Sequence, residues 1–238
     1  VYMVEDTWHS KKQGVIFEPA GTNIEPQKNI VLNTFGFVGY IDGLKSLPIA
    51  LSVNHSKFFF GSTAMTDLNA SDTSDVFITP DYIRLADSPI MYCEPDTSIL
   101  HIGSAEVLVS VYSQNKKVSS HFISEKIEEI LNAQKNYLGG ELPIKKYAFI
   151  IYLFAGNSNS GSTGALEHSY SSFYYLEEIS PDDIVQNIRD VAAHEFFHIV
   201  TPLGIHSREI GNFDYANPQM SEHLWLYEGV TEYFAGNV

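Results

Sequence analysis

Residues 180–204 read SPDDIVQNIRDVAAHEFFHIVTPLG. The opening carries helix-start chemistry. Ser180 can cap, Pro181 suits the first helical position, and Asp182 and Asp183 complement the helix dipole. Ile184, Ile188, Val191 and Ile199 then supply an apolar stripe, and Pro202 and Gly204 are expected to end the helix. On such a helix His194 and His198, four residues apart, share a face, with Cβ atoms about 5–6 Å from each other. Imidazole nitrogens bind Zn²⁺ at about 2.0–2.1 Å, so one ion can join the pair. Glu195 flanks that ion, where a base can take a proton from water.

The pattern H-E-x-x-H arises by chance in on the order of a few per cent of sequences with this many His and Glu residues, so a third ligand has to be found. Residues 221–238, SEHLWLYEGVTEYFAGNV, read as a last helix. Glu228 is the expected third ligand. Glu232, one turn further on, is the expected acceptor for the outer ring N–H of His194. The aromatic flanks Trp225, Tyr227, Tyr233 and Phe234 suggest that this helix is mostly buried, and a buried carboxylate needs a partner. His206, Asp214 and His223 stay open as other third ligands. The H-E-x-x-H-x-x-G-x-x-H pattern is excluded, because Thr201 stands at its Gly position and Gly204 at its last His position. His9, His55, His101 and His121 have no partner pattern.

Outward from these helices the chain divides in two. Residues 1–112 read as strands and turns, with 29–43, 49–55 and 57–65 apolar and aromatic, and with Val107, Val109 and Val111 alternating against Leu108, Ser110 and Tyr112. An N-terminal antiparallel β domain is expected there. Residues 113–238 change pattern. Residues 120–140 read as a helix that stops at Gly139-Gly140, 145–154 as a buried strand, 156–164 as a turn-rich loop, and 165–178 as one polar edge strand. The fold class expected is α+β.

With 14 Lys and Arg against 29 Asp and Glu, the net charge is -15. That field repels a polyanion, so nucleic acid is excluded as a partner. A single cysteine, Cys93, allows no disulfide within the chain. No apolar run reaches the roughly 18–20 residues of a membrane span. The chain opens on Val1 without a visible signal peptide, and a processed or trimmed start is expected.

H-E-x-x-H followed on a separate helix by W-L-x-E-G-x-T-x-Y resembles the gluzincin metallopeptidases. GALEHSYSS (164–172), HEFFHIVTPLGIHS (194–207), NPQMSEHLWLYEGVTEYFAG (217–236) and LGGELPIKKYAFIIYLF (138–154) together look like the bacterial glycyl-aminopeptidase family. Residues 33–53 and 86–92 are similar, more weakly, to that family's N-terminal β domain. The resemblance implies a partial thermolysin-like zinc metallopeptidase domain behind the β domain. It implies zinc held by His194, His198 and Glu228, Glu195 as general base, and a peptide substrate with a small first residue. GALEH matches the family's substrate strand, which implies substrate contacts at Gly164, Ala165, Glu167 and His168, with Glu167 on the free amino group. An edge-strand carboxylate suits that role, since it pairs with an ammonium while the strand holds the peptide.

The resemblance places the protein in the bacterial envelope or outside the cell, and the cytoplasm is not excluded. The 29 residues between His198 and Glu228 make a longer gap than in thermolysin. Family members continue past the point matching Val238, where related aminopeptidases carry an oxyanion-stabilising tyrosine, so a chain truncated at its C-terminus is expected. A non-catalytic zinc-containing peptide-binding module and an endopeptidase on the same site are the rival functions.

Overall fold

The computed structural model describes residues 3–10, 16–69 and 71–238. Its strands are β1 (Asn23–Glu25), β2 (Asn29–Leu32), β3 (Ile49–Asn54), β4 (Phe60–Ser62), β5 (Ser74–Thr79), β6 (Ile90–Cys93), β7 (Thr97–Ile102), β8 (Ala105–Ser113), β9 (Lys146–Phe154), β10 (Gly164–His168) and β11 (Ser171–Glu177). The helices are α1 (Tyr82–Ala86), α2 (Ser120–Tyr137), α3 (Pro181–Phe197), α4 (Arg208–Gly211) and α5 (Leu224–Ala235). The fold is α+β, as expected.

Three sheets form among the described residues, in the orders β1-β2-β6-β4, β3-β5 and β10-β11-β9-β8-β7. The first two are antiparallel. The third is mixed: β8 and β11 each run parallel to the central β9, and hairpins add β7 and β10 at the edges. Parallel neighbours need a crossover, and α2 supplies the one between β8 and β9.

This sheet crosses the expected boundary at residue 112. β7 and nearly all of β8 fall on its N-terminal side, yet they belong to the same sheet as β9. The alternation along β8 does not mark a wet face and a dry one, because both faces are covered. Val107, Val109 and Val111 join Phe149 and Ile151 under α2 and α3. Leu108 joins Ile150, Tyr152 and Phe173 against Val31, Met91, Cys93 and Trp8 of the N-terminal layer. Even Ser110 is fully buried, hydrogen-bonded to Ser62 across the layers at 2.6 Å. The five-stranded sheet is therefore the middle layer of three.

Residues 165–178 also differ from expectation. They form not one strand but a hairpin, in which β10 is the edge and β11 is almost entirely buried beside β9. The two-residue turn Ser169-Tyr170 carries no glycine or asparagine, which is why the sequence does not announce it.

The long helices follow their caps. Ser119 and Ser180 accept from the backbone N–H groups of Phe122 and Asp183. α2 ends at Gly139 and Gly140, with φ of 91° and 95°. α2 presses Ile127 and Leu131 onto the sheet, and Gln134 donates to the carbonyl of Ala193 in α3 at 2.7 Å. α3 stops at Phe197, short of Pro202. From His198 the backbone tightens to i→i−3 bonds, so the second histidine is the helix cap. α5 departs further from expectation. Tyr227 and Thr231 are buried, but Trp225 is 72% and Tyr233 64% exposed, so its aromatic content does not indicate a buried helix.

Candidate metal centre and substrate strand

His194 projects from the last turn of α3 and His198 from its cap. α5 packs across them and brings Glu228 to the pair. His194 Nε2 lies 3.1 Å from Glu228 Oε2 and 3.2 Å from His198 Nε2, and the third side of the triangle is 3.9 Å. The three donor atoms are close enough to share one ion at the zinc–ligand distances of His and carboxylate, about 2.0–2.2 Å. Two imidazole nitrogens and one carboxylate oxygen are a donor set that zinc accepts. His206, Asp214 and His223 do not join it. Among the described residues, two His/Glu groups are close enough to hold an ion: His194 with His198 and Glu228, and Glu167 with Glu195 and His198.

The outer ring nitrogens are held as well. His198 Nδ1–H donates to the carbonyl of Thr201 at 2.7 Å, which leaves Nε2 with its lone pair facing the site. Thr231 Oγ donates to that same carbonyl at 3.3 Å. His194 Nδ1 lies 2.8 Å from Glu232 Oε2, the pairing expected from the sequence. Thr201 was missed. Its carbonyl has no sequence signal, but Thr231 sits three residues past Glu228, on the inner side of α5, and that spacing was readable.

Protons reflect the crowding of charge. The hydrogen bond to Glu228 pushes His194 up to about 9; burial opposes this and Glu232 adds to it. Glu228 is held below the usual carboxylate range, chiefly by the same bond. Glu195 is 7% exposed, and one of its carboxylate oxygens is buried without a hydrogen-bond partner. Burial, then the neighbouring Glu167, push it up to about 8. Burial also raises Glu167, with His198 opposing it. Two carboxylates and an imidazole thus face one space, with ligand atoms within 4.8 Å of one another.

The candidate substrate strand, β10, divides by face. Ala165 packs against the helix-side core, and Glu167, two residues on, shares that side with the histidines. Gly164 and His168 lie on the other face. A Cβ on Gly164 would meet Phe17 at 3.3 Å. His168, expected beside Glu167 at the substrate, turns instead to the N-terminal layer, where Nδ1 bonds Asp87 at 2.9 Å and the side chain is 4% exposed. Alternation along the strand is the reason, since neighbouring side chains leave opposite faces.

Against known families, the M61 glycyl aminopeptidase model matches residues 187–238, and the peptidase M61 N-terminal domain model matches residues 2–94. The chain belongs to the M61 glycyl aminopeptidase family. Both α5 and the His-bearing end of α3 lie within the first match, and the β1–β6 layer lies within the second. A solved structure of an aminopeptidase N family protein from Idiomarina loihiensis superposes on this M61 chain with a TM-score of 0.78 at 19% identity. The superposition covers 93% of this chain and 38% of that one, so the M61 chain spans well under half of that protein's length. The likeness shows a shared fold. A search of curated proteins finds no match.

Proposed function

We propose that this protein is a zinc-dependent aminopeptidase acting on peptides with small first residues. The observation that carries the reading is the triangle of His194, His198 and Glu228 beside the buried Glu195, with Glu167 one strand away on the same side. The family's description as glycyl aminopeptidases supports Gly or Ala at the first position.

His194, His198 and Glu228 would hold the ion, with their rings set by Glu232 and by the Thr201 carbonyl. Zinc held there supplies a Lewis acid for the scissile carbonyl and makes water acidic enough to react near neutral pH. Glu195 takes the proton from water and passes it to the leaving amine. A cation in the site, and an ammonium beside Glu167, both pull the Glu195 pKa down, so this base ionises as the site fills. β10 is an edge strand, so a peptide can pair with its open side by β-augmentation while Glu167 binds the terminal ammonium. Envelope or extracellular placement belongs to the same proposal, and cell fractionation tests it.

The deciding experiment is Glu195→Gln with metal analysis alongside hydrolysis of Gly- and Ala-amides. Zinc content is expected to be unchanged, and turnover to fall by about 10²–10⁴-fold. Unchanged turnover would sink the assignment of the base. Equal cleavage of N-acetylated peptides would indicate an endopeptidase, and a zinc-loaded protein without turnover a binding module.

A further inference from the structure

The strand that carries Glu167 ends in a turn that its own sequence does not favour. Ser169-Tyr170 closes the β10–β11 hairpin in two residues, with His168 opposite Ser171. Tyr170 takes φ of 64°, in the left-handed region that residues other than glycine rarely adopt. Two-residue hairpins normally rely on Asn, Asp or Gly at such positions. Something outside the hairpin must therefore select this turn.

The N-terminal layer supplies it. Asp87 lies just past α1, and its carboxylate accepts three hydrogen bonds from the turn. They come from His168 Nδ1–H at 2.9 Å, the Ser169 backbone N–H at 2.7 Å and Ser169 Oγ–H at 2.7 Å. Arg84, one helical turn earlier, donates to the Ser169 carbonyl and lies 4.4 Å over the Tyr170 ring. α1 is itself anchored. Asp81 caps it through the Arg84 N–H, Ser88 Oγ donates to the Arg84 carbonyl, and Thr34 Oγ donates to the carbonyl of the fully buried Leu85.

Register is what this clamp controls. Side chains alternate along a strand, so a slip of one residue would carry Glu167 to the N-terminal face and bring His168 to the metal side. We propose that Asp87 and Arg84 are positioning residues for substrate selection: they hold the hairpin in the register that presents Glu167 to the amino terminus of the peptide. The inference rests on the reading of Glu167 as the ammonium partner. It gives the N-terminal layer a part in specificity without contact with substrate.

The test uses zinc-loaded protein and a non-hydrolysable alanyl ketomethylene dipeptide, either with a free amine or N-acetylated, with zinc affinity measured in parallel. The wild type is expected to prefer the free amine, and Glu167→Gln to lose that preference. Asp87→Ala is expected to lose most of it, about tenfold or more, with zinc affinity unchanged. Asp87→Asn keeps an acceptor for Ser169 and should fall between, and this variant with Arg84→Met serves if Asp87→Ala does not fold. No preference in the wild type, or full preference in Glu167→Gln, overturns the reading of Glu167 and the clamp's role with it. Loss in Glu167→Gln with full preference in both Asp87→Asn and Arg84→Met overturns the clamp alone. Zinc affinity falling in step with the preference also overturns it, because the effect would then be general disruption of the site.

Discussion

At His194 the same nitrogen that would bind an ion holds a proton when none is there. Glu228 and Glu232 stabilise the imidazolium, raising its pKa from 6.5 to about 9. In the ion-free protein that pairing stabilises the fold fully below the unfolded value, and the contribution is lost as pH rises through 9. Ion binding has the opposite sign, because the proton on Nε2 must leave first. Apparent zinc affinity is therefore expected to rise about tenfold per pH unit between 7 and 9, which chelator competition measures. An affinity flat over that range would show that the proton and the ion do not compete. Glu232→Ala removes the acceptor at Nδ1, 2.8 Å away, and is expected to weaken zinc about 10–100-fold, read by the same titration. The cluster of candidate ligands was legible because helical spacing puts His194 and His198 on one face of α3, and Glu228 and its neighbour Glu232 on one face of α5. Thr201 was not, since a backbone carbonyl carries no mark of its residue type.

Elements in this chain are set by their ends as much as by their faces. Gly139 follows α2 with φ of 91° and open space around it, so a methyl group would meet no clash and backbone strain alone would be felt. Gly139→Ala is expected to cost about 1 kcal/mol in chemical denaturation. A neutral result would mean that the helix end relaxes. Glu178, just past β11, ties that strand to the end of β8. Its carboxylate accepts from Ser113 Oγ, from the Asn115 backbone N–H at 2.7 Å and from Asn115 Nδ2 at 2.5 Å. Burial works to raise its pKa, but these hydrogen bonds outweigh it and hold the group below the usual value. A depressed carboxylate stabilises above its unfolded pKa, and the effect is lost as pH falls through the folded one. Glu178→Gln is expected to destabilise by on the order of 1 kcal/mol at pH 7, and the gap to the wild type should close on acidification below 4.5. Helix caps and glycine stops were readable residue by residue. The Ser169-Tyr170 turn was not, because contacts from Asp87 and Arg84, some 80 residues earlier in the chain, select it.

On the scale of the whole molecule, the question is whether the N-terminal layer is a separate body or one side of a shared core. Sequence reading placed a boundary at residue 112 because strands up to that point showed no helical period. A strand buried on both faces and a strand with one wet face can show the same apolar alternation, and only the neighbours distinguish them. β9 makes the difference measurable. Ile150 and Ile151 are adjacent, are 0% and 1% exposed, and face opposite layers. Ile150 packs with Met91, Cys93 and Val31 of the N-terminal layer, and Ile151 with the cores of α2 and α3. Trp8 reinforces the first interface, edge-on to Tyr152 and Tyr175 with ring centroids 4.9 Å away in each case. If the layers share one core, Ile150→Ala and Ile151→Ala should each cost about 2–5 kcal/mol. Both should also shift one and the same unfolding transition, whether it is followed by aromatic fluorescence or by backbone signal. Two separated transitions, with Ile150→Ala moving only one of them, would show that the N-terminal layer folds by itself. In that case a clamp from Asp87 to the β10–β11 hairpin would join two bodies rather than brace one.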